Sequence, residues 1–255
     1  MIKDILLHVD PSPAGAHRAE VACRLASRFD AHLSGLYVNA VDEEVLFYYA
    51  EMVASAIAAL KEQAVLDNRR AQEIFFRATE GANFSYEWRS VKGAVATAIA
   101  AQGRCVDLVV LGQGTGAAAR HVCDRVPMLI GRPVLIVPNQ ESPGASTAQR
   151  IAIAWDGGRE ATRAVHDALP LLKTAEAVSI VTVLPESQGE SVNHGSPAAD
   201  LATHLDRHGV RTHIIERPRA GLPIAEVLQG AIAEVSADLL VMEIEERRVG
   251  KECRL

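Results

Sequence analysis

Two aspartates occupy equivalent places in this chain, each at the end of a short apolar run. Asp10 closes the run 5–10, and Asp156 closes the run 151–156, which begins 146 positions later. A carboxylate at the end of a buried strand can contact a ligand at the edge of a sheet. It can also start the turn and cap the next helix. Because the aspartate occurs twice, the ligand role stays open beside the turn role.

A glycine-rich segment, Gly112–Gly116, follows the apolar run 106–111. Glycines let backbone N–H groups approach a phosphate closely. The segment resembles a dinucleotide fingerprint only superficially, because it comes late in its domain and no acidic residue follows at the required distance. We therefore expect no dinucleotide cofactor here.

His204 and His208 lie four residues apart in a segment that is predicted to be helical. This spacing can present two metal ligands on one helix face. The sequence shows no third ligand nearby, so we interpret the two histidines as part of a solvated face and expect no metal site. We interpret His8, inside an apolar strand, as a core histidine whose hydrogen bonds are satisfied.

The elements around these residues occur twice in the same order. Apolar runs open each copy, and a second pair of matched runs, 106–111 and 237–242, comes near the end of each. A repeat of this size indicates two related domains. We predict a first domain over 1–138 and a second, incomplete domain over 151–242. The segment 139–150 is rich in Ser, Pro and Gly and is predicted to be a linker.

Strands that alternate with helices predict an α/β fold of two Rossmann-like domains, each a parallel sheet flanked by helices, the second without its last strand. Residues 43–79 are rich in Ala, Glu, Gln and Leu and predict one long helix or two in series. Residues 84–88 predict a strand near a sheet edge. Ligands of such sheets bind beyond the carboxyl ends of the strands. The residues at those ends are Asp10, Val38, Gly112, Asp156 and Val183.

Composition narrows the class of protein. The net charge of −6 gives no indication of the basic surface with which proteins bind nucleic acid. The four cysteines are scattered without a CxxC pair, which disfavours zinc and disulfide frameworks and favours a cytoplasmic setting. The N-terminus lacks a signal segment, and the longest uncharged run, 108–119, is too short to span a bilayer. We expect a cytoplasmic protein without nucleic-acid or membrane partners.

Three segments, 151–158 (IAIAWDGG), 237–242 (ADLLVM) and 133–138 (PVLIVP), together resemble a tandem universal stress protein. The resemblance covers 1–138 and 151–242. It implies a five-stranded parallel sheet per domain and a stress-response role without a defined reaction. It also implies pairing of the tandem halves or a homodimer. Some members of the family bind ATP and others do not.

In the ATP-binding members, an aspartate ending the first strand contacts the nucleoside and the backbone of a valine ending the second strand meets the adenine. The resemblance assigns these roles to Asp10 and Val38 in the first copy and to Asp156 and Val183 in the second. A loop of the pattern G-x2-G-x9-G-[ST], which would begin at Gly112 in the first copy, cradles the phosphates.

Both copies depart from that loop pattern. In the first copy no Gly-Ser or Gly-Thr pair follows Gly112, and Ala119-Arg120 stands where the pair is expected. In the second copy Glu243 stands where the first glycine is expected, and 243–255 shows no apolar period and no fifth strand. Our hypothesis is that 243–255 is foreign, from a frameshift or sequencing read-through; the alternative is a degenerate C-terminus.

The sequence therefore predicts a non-enzymatic stress-response protein that binds an adenine nucleotide, ATP, in its second domain and needs no metal or redox cofactor. The alternative is a dimerisation or partner-binding module that binds no nucleotide. An adenylating or flavin-linked enzyme would need an SGGxDS-type loop or an HxGH element, and neither is present.

Overall fold

The computed structural model describes residues 1–40, 54–113, 116–139, 147–184 and 197–243. The chain divides into two compact units, Met1–Pro143 and Gly144–Leu255. The predicted limits of the domains and of the linker stay predictions. Within the described ranges, no helix is long and apolar enough to cross a membrane.

The first unit is a parallel sheet in the order β3-β2-β1-β4-β5. Its central strands are mainly apolar and largely buried, as expected for strands that are covered on both faces. The elements are β1 (Asp4–His8), α1 (Pro13–Phe29), β2 (His32–Asn39), α2 (Ala54–Ala78), β3 (Tyr86–Lys92), α3 (Val95–Gly103), β4 (Leu108–Gly112), α4 (Gly116–Ile130) and β5 (Val134–Val137).

The start of α1 shapes the end of the sheet at which the carboxyl ends of the strands lie. We call this end the ligand edge, because ligands of such sheets bind beyond it. The backbone N–H of Ser12 donates to Oδ1 of Asp10 over 3.0 Å, and Pro13 supplies the fixed φ that suits a first helical residue. The helix then packs its small side chains on the sheet, and Ala19, Ala22 and Ala26 are fully buried. The turn after β1 is therefore held by the same carboxylate that ends the strand.

The second unit repeats the arrangement with four strands in the order β8-β7-β6-β9, all parallel. Its core contains Ala152, Val181 and Ile215 from the strands and Leu228 and Ala231 from a helix. The elements are β6 (Arg150–Ala154), α5 (Arg159–Leu172), β7 (Ala177–Leu184), α6 (Pro197–Arg207), β8 (Thr212–Pro218), α7 (Ile224–Glu234) and β9 (Leu239–Val241).

These two sheets confirm the predicted α/β fold class. The strand predicted over 84–88 is wrong in its limits, because β3 begins at Tyr86 and runs to Lys92, paired with β2 along its whole length. Its predicted place at a sheet edge is confirmed. Of the helix predicted over 43–79, the structure describes Ala54–Ala78, and the remainder before it lies outside the described residues.

Candidate functional site

The ligand edge of the first unit lies where the strand order reverses, between β1 and its neighbour β4. Asp10 follows β1 and Gly112 ends β4, so the fold brings these two predicted site residues to one place. A third residue, Arg18 from the second turn of α1, also reaches this edge and contacts both. Arg18 is not among the site residues predicted from the sequence.

Arg18 ties Asp10 into the protein. Its Nη1 donates to Oδ2 of Asp10 over 2.8 Å and to the backbone oxygen of His8 over 2.9 Å. The Arg18 side chain is 2% exposed, whereas that of Asp10 is 32% exposed. The carboxylate at this edge therefore already has a cation and a backbone N–H as partners from its own chain.

Gly112 has no side chain, and the Arg18 guanidinium occupies the space in which a side chain at this position would lie. A Cβ at residue 112 would overlap three atoms of that guanidinium. Any other L-residue at this position would have to displace a side chain that Asp10 and the His8 carbonyl hold in place. The glycine of the first copy thus accommodates an internal arginine at the edge where a ligand would bind.

The electrostatics of this edge follow from burial and from Arg18. Burial raises the pKa of Asp10, but attraction by Arg18 and hydrogen bonds from Ser12 and Arg18 outweigh it, so this pKa lies below its usual range. Burial and then the Arg18 charge lower the pKa of His8 to about 4, against a weaker opposing effect of Asp10. Near neutral pH the edge holds one ion pair beside a neutral imidazole.

Val38 lies on β2 and is buried in the core of the first unit, where its side chain packs with residues such as Leu36 and Ile99. It pairs in register with Val91 of β3. The structure therefore places Val38 on the strand next to β1, while its side chain belongs to the core.

In the second unit, Asp156 follows β6 and is exposed. Its Oδ1 accepts a hydrogen bond from the backbone N–H of Gly158 over 2.6 Å, the same kind of turn that Asp10 makes with Ser12. Among the described residues no arginine or lysine forms an ion pair with Asp156. The two aspartates thus share their backbone turn and differ in their partners.

The two aspartates differ in their partners because the residue types at two equivalent positions differ between the units. Ala164 follows Asp156 by the eight residues that separate Arg18 from Asp10, so alanine stands in α5 where α1 has the arginine. The strand registers place Glu243 where the first unit has Gly112. At these positions the second unit has alanine in the place of the internal cation and a carboxylate in the place of the glycine.

Glu243 makes the ligand edge of the second unit acidic. Burial raises its pKa, and repulsion by Asp156, a hydrogen bond with Asp156 and repulsion by Glu160 raise it further. Val183, the other predicted site residue of this unit, is half-buried on β7, the strand next to β6. This arrangement offers acceptors to ligand hydroxyl groups and opposes the approach of a phosphate.

The sequence marks Arg18 as unusual, although it does not show which residue Arg18 contacts. Arg18 interrupts the apolar stripe that includes Ala19, Ala22 and Ala26, and it lies eight residues after Asp10. A charged residue on the buried face of a helix needs a buried partner. That rule predicts a pairing with a carboxylate but does not say which one.

No metal centre is visible across the described parts of the chain, where no group of three or more His, Cys, Asp and Glu side chains converges on one point. The described cysteines, Cys23, Cys105 and Cys123, are free thiols.

Comparison with known proteins supports the fold. No protein-family profile matches the sequence, and no curated protein matches it. A universal stress protein structure from Archaeoglobus fulgidus DSM 4304 is 16% identical, with a TM-score of 0.66, and covers 93% of this chain and 83% of its own. A putative universal stress protein from Pseudomonas aeruginosa UCBPP-PA14 is also 16% identical, with a TM-score of 0.55, and covers 94% of this chain and 81% of its own.

A protein of unknown function from Pseudomonas aeruginosa PAO1 gives the same picture, at 16% identity and a TM-score of 0.57, covering 94% of this chain and 80% of its own. The universal stress protein fold that the sequence motifs predicted is therefore confirmed. At this identity the likeness establishes the fold and leaves ligand and activity open.

Proposed function

We propose that this chain is a non-catalytic, ligand-binding protein of the stress response, in which the second unit takes an adenine nucleotide and the first unit takes none. The observation that supports this proposal is the contrast between the two aspartates. Asp10 is paired with a buried arginine, whereas Asp156 is exposed and its unit has an alanine, Ala164, at the helix position equivalent to Arg18. A cytoplasmic setting is part of the proposal.

The residues of the first unit do not fit a nucleoside. Arg18 fills the space between the ends of β1 and β4 and engages Asp10, so a sugar hydroxyl that displaced it would replace a charge-assisted bond to a buried arginine. Such a replacement is unfavourable, because it would leave the arginine buried without its partner. We therefore assign the first unit a structural role.

The residues of the second unit fit the nucleoside better than the phosphates. The exposed Asp156 carboxylate can accept hydrogen bonds from ribose hydroxyls, and the Val183 backbone lies on the neighbouring strand at the same edge. The carboxylates of Glu243 and Glu160 near Asp156 would repel a triphosphate. In this proposal the nucleoside supplies most of the affinity, and the phosphates extend away from the described carboxylates.

Replacing Asp156 by Asn tests this assignment. We expect one ATP or adenosine per chain in equilibrium dialysis and a loss of affinity of at least about tenfold in Asp156→Asn, because a hydrogen bond to a charged group contributes roughly 1.5–3 kcal/mol. Asp167→Asn, an exposed carboxylate on α5, is the matched control and should bind like the parent. Adenosine should compete with ATP.

Two results would contradict the proposal. One is the absence of binding of either ligand at millimolar concentration. The other is binding that Asp156→Asn leaves unchanged. Two bound nucleotides per chain would contradict the structural role of the first unit.

The alternative is a partner-binding or self-associating module that binds no nucleotide. It is favoured by β5, an edge strand of the first sheet on which Ile136 is exposed, with exposed Met128 and Leu129 on the preceding helix α4. An apolar edge strand can pair with another chain. The predicted pairing of the halves or a homodimer belongs to this proposal.

Ile136→Lys tests the alternative, because a charged side chain on an edge strand opposes pairing. If the module associates through β5, the molar mass measured by light scattering should fall to that of one chain. Ile224→Lys, at an exposed apolar position in the second unit, is the control and should leave the mass unchanged. A parent protein that is already monomeric at high concentration would exclude this association.

A further inference from the structure

We propose that β3, an edge strand of the first sheet, pairs antiparallel with β3 of a second copy of this chain, with Trp88 at the centre of the two-fold symmetric contact. β3 pairs with β2 on one side, and among the described residues no strand covers its other side. An uncovered edge strand offers unpaired backbone groups to another chain. The contact is independent of the proposed nucleotide site and uses the sheet edge opposite to β5.

The backbone of β3 limits the registers in which two copies can pair. The N–H of Leu33 donates to the oxygen of Ser85 over 3.0 Å, and the N–H of Gly93 donates to the oxygen of Asn39 over 3.0 Å. Odd-numbered residues of β3 therefore direct their backbone groups to β2, and even-numbered residues direct theirs outward, because the two directions alternate along a strand. Outward groups have to face each other in the pair, so its symmetry axis passes through a residue and not between two residues.

Charge selects the residue on the axis. Glu87 and Arg89 project from the same face of β3, where Nε of Arg89 donates to Oε1 of Glu87 over 2.7 Å. An axis at residue 87 would place two glutamates opposite each other, and an axis at residue 89 would place two arginines opposite each other. An axis at Trp88 places Glu87 of each copy opposite Arg89 of the other. Opposite charges across strands stabilise and like charges destabilise, so the strand is self-complementary in this register.

The other face of β3 carries a partly exposed aromatic cluster. Aromatic residues make up only 4% of the chain, yet Phe75, Phe76, Tyr86 and Trp88 lie together, with ring centroids 5.5–6.3 Å apart. Phe75 is fully buried, whereas Phe76 is 44% exposed and Tyr86 is 41% exposed. With the axis at Trp88, the two Trp88 side chains face each other and each Tyr86 faces Ser90 of the other copy. Aromatic pairs across strands stabilise a sheet, so both faces of β3 favour the same register.

Charge reversal in the full-length protein tests the proposal. We expect the parent to have the molar mass of two chains in light scattering at millimolar concentration. Glu87→Arg and Arg89→Glu should each weaken self-association at least about tenfold, because symmetry places like charges opposite each other twice. An equimolar mixture of the two variants should recover the mass of two chains, because each facing pair is then opposite in sign.

Two further variants serve as controls. The double variant Glu87→Arg/Arg89→Glu keeps an ion pair within the strand and across the contact, so it should associate as the parent does. Arg217→Glu is the matched single change, because Arg217 lies on β8, an edge strand of the second sheet, in an exposed ion pair with Glu234. It should leave the mass unchanged. Circular dichroism spectra that match the parent check the fold of every variant.

Three results would overturn the proposal. The first is a parent protein that has the mass of one chain at millimolar concentration. The second is retention of the parent mass by both Glu87→Arg and Arg89→Glu. The third is a double variant that folds as the parent does and has the mass of one chain. Loss of the dimer in Ile136→Lys, with retention in Arg89→Glu, would assign the association to β5 instead.

Discussion

Arg18→Ala should lower the free energy of unfolding of the first unit by about 3 kcal/mol, because removing one partner of a buried ion pair leaves the other uncompensated. The change leaves the Asp10 carboxylate and the His8 carbonyl without a shared hydrogen-bond donor, because both accept from Nη1 of this arginine. Asp10 is partly exposed, so the effect belongs at the lower end of the range of about 3–5 kcal/mol for buried pairs.

Urea unfolding monitored by tryptophan fluorescence measures this loss. Trp88 lies in the first unit and Trp155 in the second, and the chain has two tryptophans, so a Trp155→Phe background reports the first unit alone. Arg24→Ala is the control on the same helix. Its ion pair with Glu20 is exposed and 3.8 Å long, and its loss should cost under about 0.5 kcal/mol.

The pairing of Arg18 with Gly112 adds a coupling test. Gly112→Ala alone should destabilise the first unit by about 1–3 kcal/mol, because the added Cβ overlaps the guanidinium. In an Arg18→Ala background the same change should cost much less, since the overlapped atoms are gone. Equal costs in both backgrounds would contradict the described packing.

Acidification should destabilise the first unit by about 3 kcal/mol between pH 6.5 and pH 4 through His8 alone. The pKa of His8 is about 4 in the folded protein and about 6.5 in the unfolded chain. Between these values the unfolded state binds the proton and the folded state does not, so stability is full above pH 6.5 and falls as the pH decreases. The loss is complete below pH 4.

Comparison of the parent with His8→Gln isolates this contribution, because glutamine does not titrate. The unfolding free energy of the variant should vary much less between pH 6.5 and 4, while His213→Gln should follow the parent. A parallel pH profile for parent and His8→Gln would show that His8 is not held neutral. Asp10 affects stability at lower pH than His8 does. Its pKa is depressed in the folded protein, so the stability that it contributes is lost only as the pH falls further.

The sequence predicts the architecture well because the fold rests on periodic patterns. Apolar strands, Ala-rich helices and the repeat predict both parallel sheets, whereas the strand order within each sheet was not predicted. Helix α4 was not predicted, although Cys123, Val126 and Ile130 form a buried stripe, because Pro127 inside it argues against a helix. The strand β3 was placed too early because its exposed pattern gives a weak signal.

The site could be predicted only in part. Strand ends identify Asp10 and Asp156 as edge residues, because local sequence determines where a strand stops. The partner of each aspartate depends on side chains that reach the ligand edge from another element. Contacts of this kind leave no periodic pattern in the sequence, so the sequence does not predict them.

The fit between Arg18 and Gly112 couples the two positions. A side chain at 112 overlaps the guanidinium while Arg18 is present, and loss of the arginine alone leaves Asp10 without its cation, so either single exchange destabilises the first unit. The two halves of the chain carry the two compatible pairs, Arg18 with Gly112 and Ala164 with Glu243, so a change from one pair to the other by single exchanges passes through a less stable intermediate.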